Sequence, residues 1–249
     1  MTTDTSFDTI IYLKNGPVAT ISLNRPEVVN AYSVKMRDEL FQVLQAIHID
    51  AEVKVVVVTG NGEKGFCAGA DLTEFGTAPS QVIARQVRWD RDIWGIFREL
   101  EKPIVGALHG WVIGLGVEIA CFCDIRLASE DALFSMPEVA LGMIPAAGGT
   151  QTIPRSIGSS SALRMILANQ QIDARTAFDM GLVHKIVPGD VLLDEAYRIA
   201  QDLVLRDAYA LALSKKSIKQ GMDLPLKSAL LNENRLLSKL ISTRLYNRD

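Results

Sequence analysis

Residues 53–60 read VKVVVVTG. So continuous an apolar run leaves no polar face for water, and it suits a strand covered on both sides that ends where glycine breaks it. Such a strand requires layers above and below, which points to an α/β architecture. KPIVGALHG, from Lys102 to Gly110, is a second run of this kind, and CDIRLAS, from Cys123 to Ser129, reads as a third. Helical patterns fall between them. Ser33 precedes one, with Met36, Leu40, Val43, Leu44 and Ile47 on a single face. Gln81 to Leu100 reads as another, with Val82, Trp89, Ile93, Ile96, Phe97 and Leu100 facing inward. DTIIYLKNGPVATISLNRP predicts a hairpin turning at Asn15-Gly16. Beyond Pro145 helices dominate: Ser161–Leu167, Ala174–Met180, Leu192–Leu205, Tyr209–Lys219 and Leu226 to about Ile241, the last with Pro225 near its start. Only HKIV, ending at Val187, looks extended there. No low-complexity linker interrupts the chain, so the pattern predicts a mixed α/β core with a helical C-terminal part and not two independent domains.

Composition narrows the function. The chain has 249 residues, 48% of them apolar, enough for a large core. Its net charge is −3 and it has no dense Lys/Arg run, which argues against a nucleic-acid partner. No run of about 18 apolar residues predicts a membrane span. The opening MTTDTSFDTI lacks a positive and then apolar leader, so the expected location is cytoplasmic. Cys67, Cys121 and Cys123 form no CxxC pair and suit buried thiols in a reducing compartment. His48, His109 and His184 have no metal-ligand spacing, so no metal site is expected.

Two glutamates stand out. HGWVIGLGVEIACFCDIRLAS sets glycines ahead of a helix and Glu118 within its first turns. A helix N-terminus presents unpaired N–H groups and favours negative charge, so it suits an anion or a carbonyl oxygen that becomes anionic, and it should keep Glu118 ionised. The same arrangement also serves ordinary helix stabilisation. Glu138 follows Pro137 among Phe134, Met136, Val139, Leu141 and Met143, an apolar setting that favours a protonated carboxyl unless the residue is simply a solvated loop position. Two glutamates in different settings can divide base and acid roles. Cys67 and His109 lie nearby without a visible activating partner. Trp89, Trp94 and Trp111 either shape a bulky pocket or belong to the core.

These segments resemble the crotonase superfamily, most closely its enoyl-CoA hydratases. The resemblance runs from about Ile10 to Lys219 through LNRPEVVNAYS, GFCAGADL, KPIVGALHGWVIGLGVEIACFCDIRLAS, FSMPEVALGMIPAAGGTQTIPR and DARTAFDMGLVHKIV, in family order. It implies a spiral of repeated ββα units over residues 1–190, holding an acyl-CoA site, and a helical trimerisation region over 191–249. It implies a homotrimer or dimer of trimers. No cofactor is expected to be permanently bound; coenzyme A enters as the thioester part of the substrate. The N–H groups of Ala70 and Leu115 would form an oxyanion hole. Glu118 and Glu138 would activate and deliver water and proton. Val28, Ala68, Asp71 and Leu72 would lie near the CoA nucleotide, with Asp71 equally readable as a helix cap. Arg25, Asn30 and Asp124 match family positions and read as architectural.

The implied activity is hydration of a trans-2-enoyl-CoA to a 3-hydroxyacyl-CoA. The alternatives are an enoyl-CoA isomerase, a hydratase of branched or cyclic acyl-CoA, and a CoA-binding interaction protein. The sequence departs from the resemblance at Met136, where relatives often carry glutamine, and at Glu27, often basic. Relatives also continue with an acidic segment and a basic tail where this sequence reads TRLYNRD, so a more open acyl tunnel is expected.

Overall fold

A computed structural model describes residues 3–246, with side chains over 7–245. Its strands are β1 (Thr3–Ser6), β2 (Ile10–Asn15), β3 (Val18–Leu23), β4 (Val55–Gly60), β5 (Ile104–Leu108), β6 (Trp111–Ile113), β7 (Ile125–Ser129), β8 (Leu133–Ser135), β9 (Ile172–Asp173) and β10 (Lys185–Val187). Its helices are α1 (Val34–Ile49), α2 (Gln81–Asp90), α3 (Ile93–Glu99), α4 (Leu115–Phe122), α5 (Gly149–Leu167), α6 (Ala174–Asp179), α7 (Leu192–Val204), α8 (Ala208–Gly221) and α9 (Leu226–Tyr246). One sheet runs in the order β1-β2-β3-β4-β5-β7-β10, and a small second sheet in the order β6-β8-β9. From β3 through β10 the pairings of the large sheet are parallel. Two turns of the chain each add a strand to the large sheet, then a short one to the small sheet, then a helix. β5, β6 and α4 make one such turn, and β7, β8 and α5 the next. This is the expected spiral of ββα units.

The valine run explains itself in this frame. Val55 and Val57 pack with Val18, Val105, Ala107 and Leu127 under Leu192, Ala196 and Ala200 of α7. Val56 and Val58 pack on the other side with Met36, Leu40 and Val43 of α1. Both faces of β4 are dry, and its one polar side chain, Thr59, donates its hydroxyl to Ala107 O at 3.1 Å. The Ser33 hydroxyl accepts the Met36 N–H at 3.1 Å and starts α1, whose predicted apolar face is buried.

Three expectations are corrected. The hairpin turns one residue later, on Gly16-Pro17, with Asn15 paired to Val18. Pro17 has no N–H for the ladder and Gly16 supplies the positive φ of 56°. Residues 81–100 form two helices. Arg91 leaves helical geometry, and the Asp92 carboxylate accepts the Gly95 N–H at 2.9 Å to start α3. The apolar register resets there, so Ile93, Phe97 and Leu100 are buried while Val82 and Trp89 are exposed. Finally, α5 starts at Gly149, well ahead of Ser161, and bends at Gly158 (φ 77°, ψ 157°). Its first half contains Pro154 and is flanked by glycines, which reads as broken backbone although packing holds it helical.

The residues read as architectural carry backbone. Asn30 Nδ2 donates to the carbonyls of Asn61 and Gly65, and its Oδ1 accepts the Arg25 N–H. Asp124 accepts the Ile104 N–H at 2.8 Å and pairs with Lys215 and Lys219, fastening α8 to the sheet.

Candidate active site

The extended residues after β4 run beside β6. Cys67 N–H donates to Trp111 O at 3.0 Å, and Ile113 N–H donates to Cys67 O at 2.8 Å. This ladder leads the segment to the start of α4. Gly116 makes the approach possible: a Cβ there would lie 2.6 Å from Cys67 O. On the other side, Tyr32 N–H donates to Gly69 O and Asp71 N–H to Tyr32 O. The pattern skips Ala70. Its N–H, like that of Leu115 at the first position of α4, has no acceptor among the described residues. A methyl on Gly69, between them, would lie 3.9 Å from Leu115 N. Two free amide donors therefore share one wall.

Glu118 points from α4 into the same place and is 2% exposed. Its Oε1 accepts the N–H groups of Ala147 (2.9 Å) and Gly149 (2.7 Å). Those bonds favour the ionised form, but burial outweighs them and, with the neighbouring Glu138 carboxyl, raises the pKa to about 7. The helix end thus does not keep Glu118 fully ionised, contrary to expectation. Its carboxyl accepts two amides of a later segment, one of them at the start of α5, but burial outweighs those contacts. Glu138 opens the short 3-10 turn Glu138–Leu141. Its Oε2 is buried without a hydrogen-bond partner among the described residues, and burial raises its pKa as the apolar neighbours predict.

Both glutamates line a single cavity of about 750 Å³ with Ala68, Ala70, Leu72 and Leu115. Two of the residues expected near CoA lie outside it. Asp71 lines an adjoining cavity of about 500 Å³. Its carboxylate is already engaged by Arg25 Nη1 at 2.9 Å and by the Thr73 N–H and hydroxyl, a cap and ion pair that lower its pKa. Val28 sits half-exposed on the turn Pro26–Val28 and lines neither cavity. Cys67 is buried, with its thiol pushed up to about 12, and His109 Nε2 lies 2.8 Å from Gly62 O, so neither is poised as a nucleophile or base. Among the described residues no group of His, Cys, Asp and Glu could hold a metal, and no helix is long and apolar enough to cross a membrane.

Of the three tryptophans offered as pocket-shaping, Trp94 lines the cavity and stacks against Phe97 and Phe122. Sequence reasoning missed Arg37, Arg88 and Arg91, which also line it. Charged residues at helical spacing read as a solvated face, so nothing local marked the arginines. The AAGG run at 146–149 was the available signal for the amides that hold Glu118.

Comparison with known proteins follows the same lines. The family model described as enoyl-CoA hydratase/isomerase matches residues 14–247. The short-chain-enoyl-CoA hydratase of Clostridium acetobutylicum is 37% identical over 245 residues, covering 94% of this chain and 90% of that protein. The mitochondrial enoyl-CoA hydratase of Pongo abelii is 35% identical, covering 92% of this chain and 78% of that protein. The crystal structure of enoyl-CoA hydratase from Bacillus anthracis superposes with a TM-score of 0.89 at 34% identity, covering 94% of this chain and 92% of that one.

Proposed function

The chain belongs to the enoyl-CoA hydratase/isomerase family, and we propose that it adds water across the 2,3 double bond of a trans-2-enoyl-CoA to give the 3-hydroxyacyl-CoA. It is an enzyme of the hydro-lyase type. The observation that carries the finer reading is the meeting of two carboxyls and two unbonded amides in one cavity.

In this mechanism the Ala70 and Leu115 N–H groups donate to the thioester oxygen and drain density from the conjugated bond. Ionised Glu118 takes a proton from water as its oxygen bonds to Cβ. The electron pair moves through Cα to the thioester oxygen, held there as the enolate. As it returns, Cα takes the proton of Glu138. Glu118 ends protonated and Glu138 ionised, and exchange with solvent resets both. Ala68 and Leu72 flank the CoA portion, while Asp71 acts on the loop through Arg25.

The direct test is hydration of crotonyl-CoA, followed by loss of the conjugated absorbance and appearance of 3-hydroxybutyryl-CoA. Absence of hydration, with conversion of a trans-3-enoyl-CoA to the trans-2 isomer, would replace this reading with an isomerase.

The pH profile is a second expected result. Glu118 as base must be ionised, so kcat/KM should fall as pH drops below about 7. It should fall again at higher pH as Glu138 loses its proton. The same shift acts on stability: between its ordinary value and about 7 the folded state holds a proton on Glu118 that the unfolded state releases. Stability should therefore decline as pH rises through that window, as a thermal melt at several pH values would read.

A further inference from the structure

The cavity contains cationic groups that hydration does not require. Arg37 on α1, Arg88 in the last turn of α2 and Arg91 at its C-terminal cap all line it. Arg91 follows Arg88 by three residues at the end of α2, and both reach the same cavity. Asp38 is the single carboxylate these guanidiniums meet among the described residues: Arg37 holds it at 2.9 Å and Arg91 stands 4.0 Å away. Arg88 has no carboxylate partner there; it donates to Ala146 O. Three positive charges thus face one acidic side chain and two glutamates whose ionised forms are disfavoured.

Their position indicates what they serve. The Ala146 carbonyl bonded by Arg88 directly precedes the Ala147 amide that holds Glu118. The Arg88 charge also acts on Glu118, drawing its pKa down against the burial effect. Arg88 therefore lies at the glutamate end of the cavity. The CoA phosphates are separated from the thioester by the whole pantetheine arm, so a guanidinium beside the glutamates meets the acyl chain and not the nucleotide. An apolar chain would strip water from these cations without replacing it, whereas a carboxylate restores paired, charge-assisted hydrogen bonds.

We infer that the acyl pocket is built for a trans-2-enoyl-CoA whose chain ends in a carboxylate, gripped by Arg88 and Arg91 with Arg37 behind them. The inference rests on the hydratase reading and adds a substrate class to it.

The test compares two six-carbon substrates that differ only at the chain end: trans-2-hexenoyl-CoA and the CoA monothioester of trans-2-hexenedioic acid. The expected result is a kcat/KM about ten- to a hundredfold higher for the carboxylate, the range for charge-assisted bonds at a partly exposed site. In Arg88→Met and Arg91→Met the ratio of the two values should collapse toward one. Hydration of hexenoyl-CoA at an equal or higher kcat/KM, with the ratio unmoved by the variants, overturns the inference and leaves the hydratase reading standing. Failure to hydrate either chain overturns both. If the variants weaken both substrates equally and also weaken inhibition by free CoA, the arginines serve the phosphates and the inference is wrong.

Discussion

Glu118→Gln should lower kcat for enoyl-CoA hydration by roughly 10²–10⁴-fold, the contribution of a positioned base. The change is nearly isosteric. The amide oxygen can accept the same two N–H groups, of Ala147 and Gly149, that now bind Oε1. What disappears is the ability to take a proton from water. The fold should survive, and at pH above about 7 the variant should melt no lower than the parent, because it no longer buries a charge. Glu138→Gln should show a loss of similar size for the opposite reason: it has no proton to give to Cα. The double variant should be scarcely worse than the weaker single variant, since the two groups act as a unit. A folded single variant that keeps near-parental turnover sinks the two-carboxyl mechanism.

Gly114→Ala is the second large expectation. Gly114 has φ 51° and ψ −114°, a conformation that a side chain adopts only under strain. The added Cβ would lie 2.5 Å from Glu138 Oε1. The backbone cost is about 1–3 kcal/mol, and the Glu138 carboxyl must move off its line into the cavity. The expected outcome is a lower denaturant midpoint together with a loss of kcat approaching that of Glu138→Gln. Gly16→Ala is the control. Gly16 also has a positive φ, of 56°, but nothing lies within 4 Å of the added carbon, and the hairpin is remote from the cavity. It should lose stability and keep its turnover. If Gly114→Ala also keeps its turnover, Glu138 has no need of its present position.

Much of this molecule is legible locally. A run of four valines can only be a doubly covered strand, and the Met36, Leu40 and Ile47 spacing can only present one face. The glycines before α4 and the proline before Glu138 mark the two places where chemistry gathers. What escapes depends on partners distant in sequence. Asp71 is readable as a helix cap, which it is, but its pairing with Arg25, 46 residues away, is not. Glu118 looks ionised at a helix end until its burial, which outweighs the amides of Ala147 and Gly149, is counted. The α2–α3 break has no glycine or proline to announce it; an aspartate cap makes it, and Trp89 turns outward as a result. The arginines of the cavity acquire meaning only when α1 and α2 converge on the glutamates.

The stretch from Pro137 to Gly149 has a double attachment. It bears one acidic group on its first turn and, with its last amides, clasps the other from across the pocket. The spacing between proton donor and proton acceptor therefore depends on this short length of backbone as well as on α4, which carries Glu118. A displacement of that length moves Glu138 directly and pulls on Glu118 through two amide bonds, so the two carboxyls are tied together though rooted in different elements.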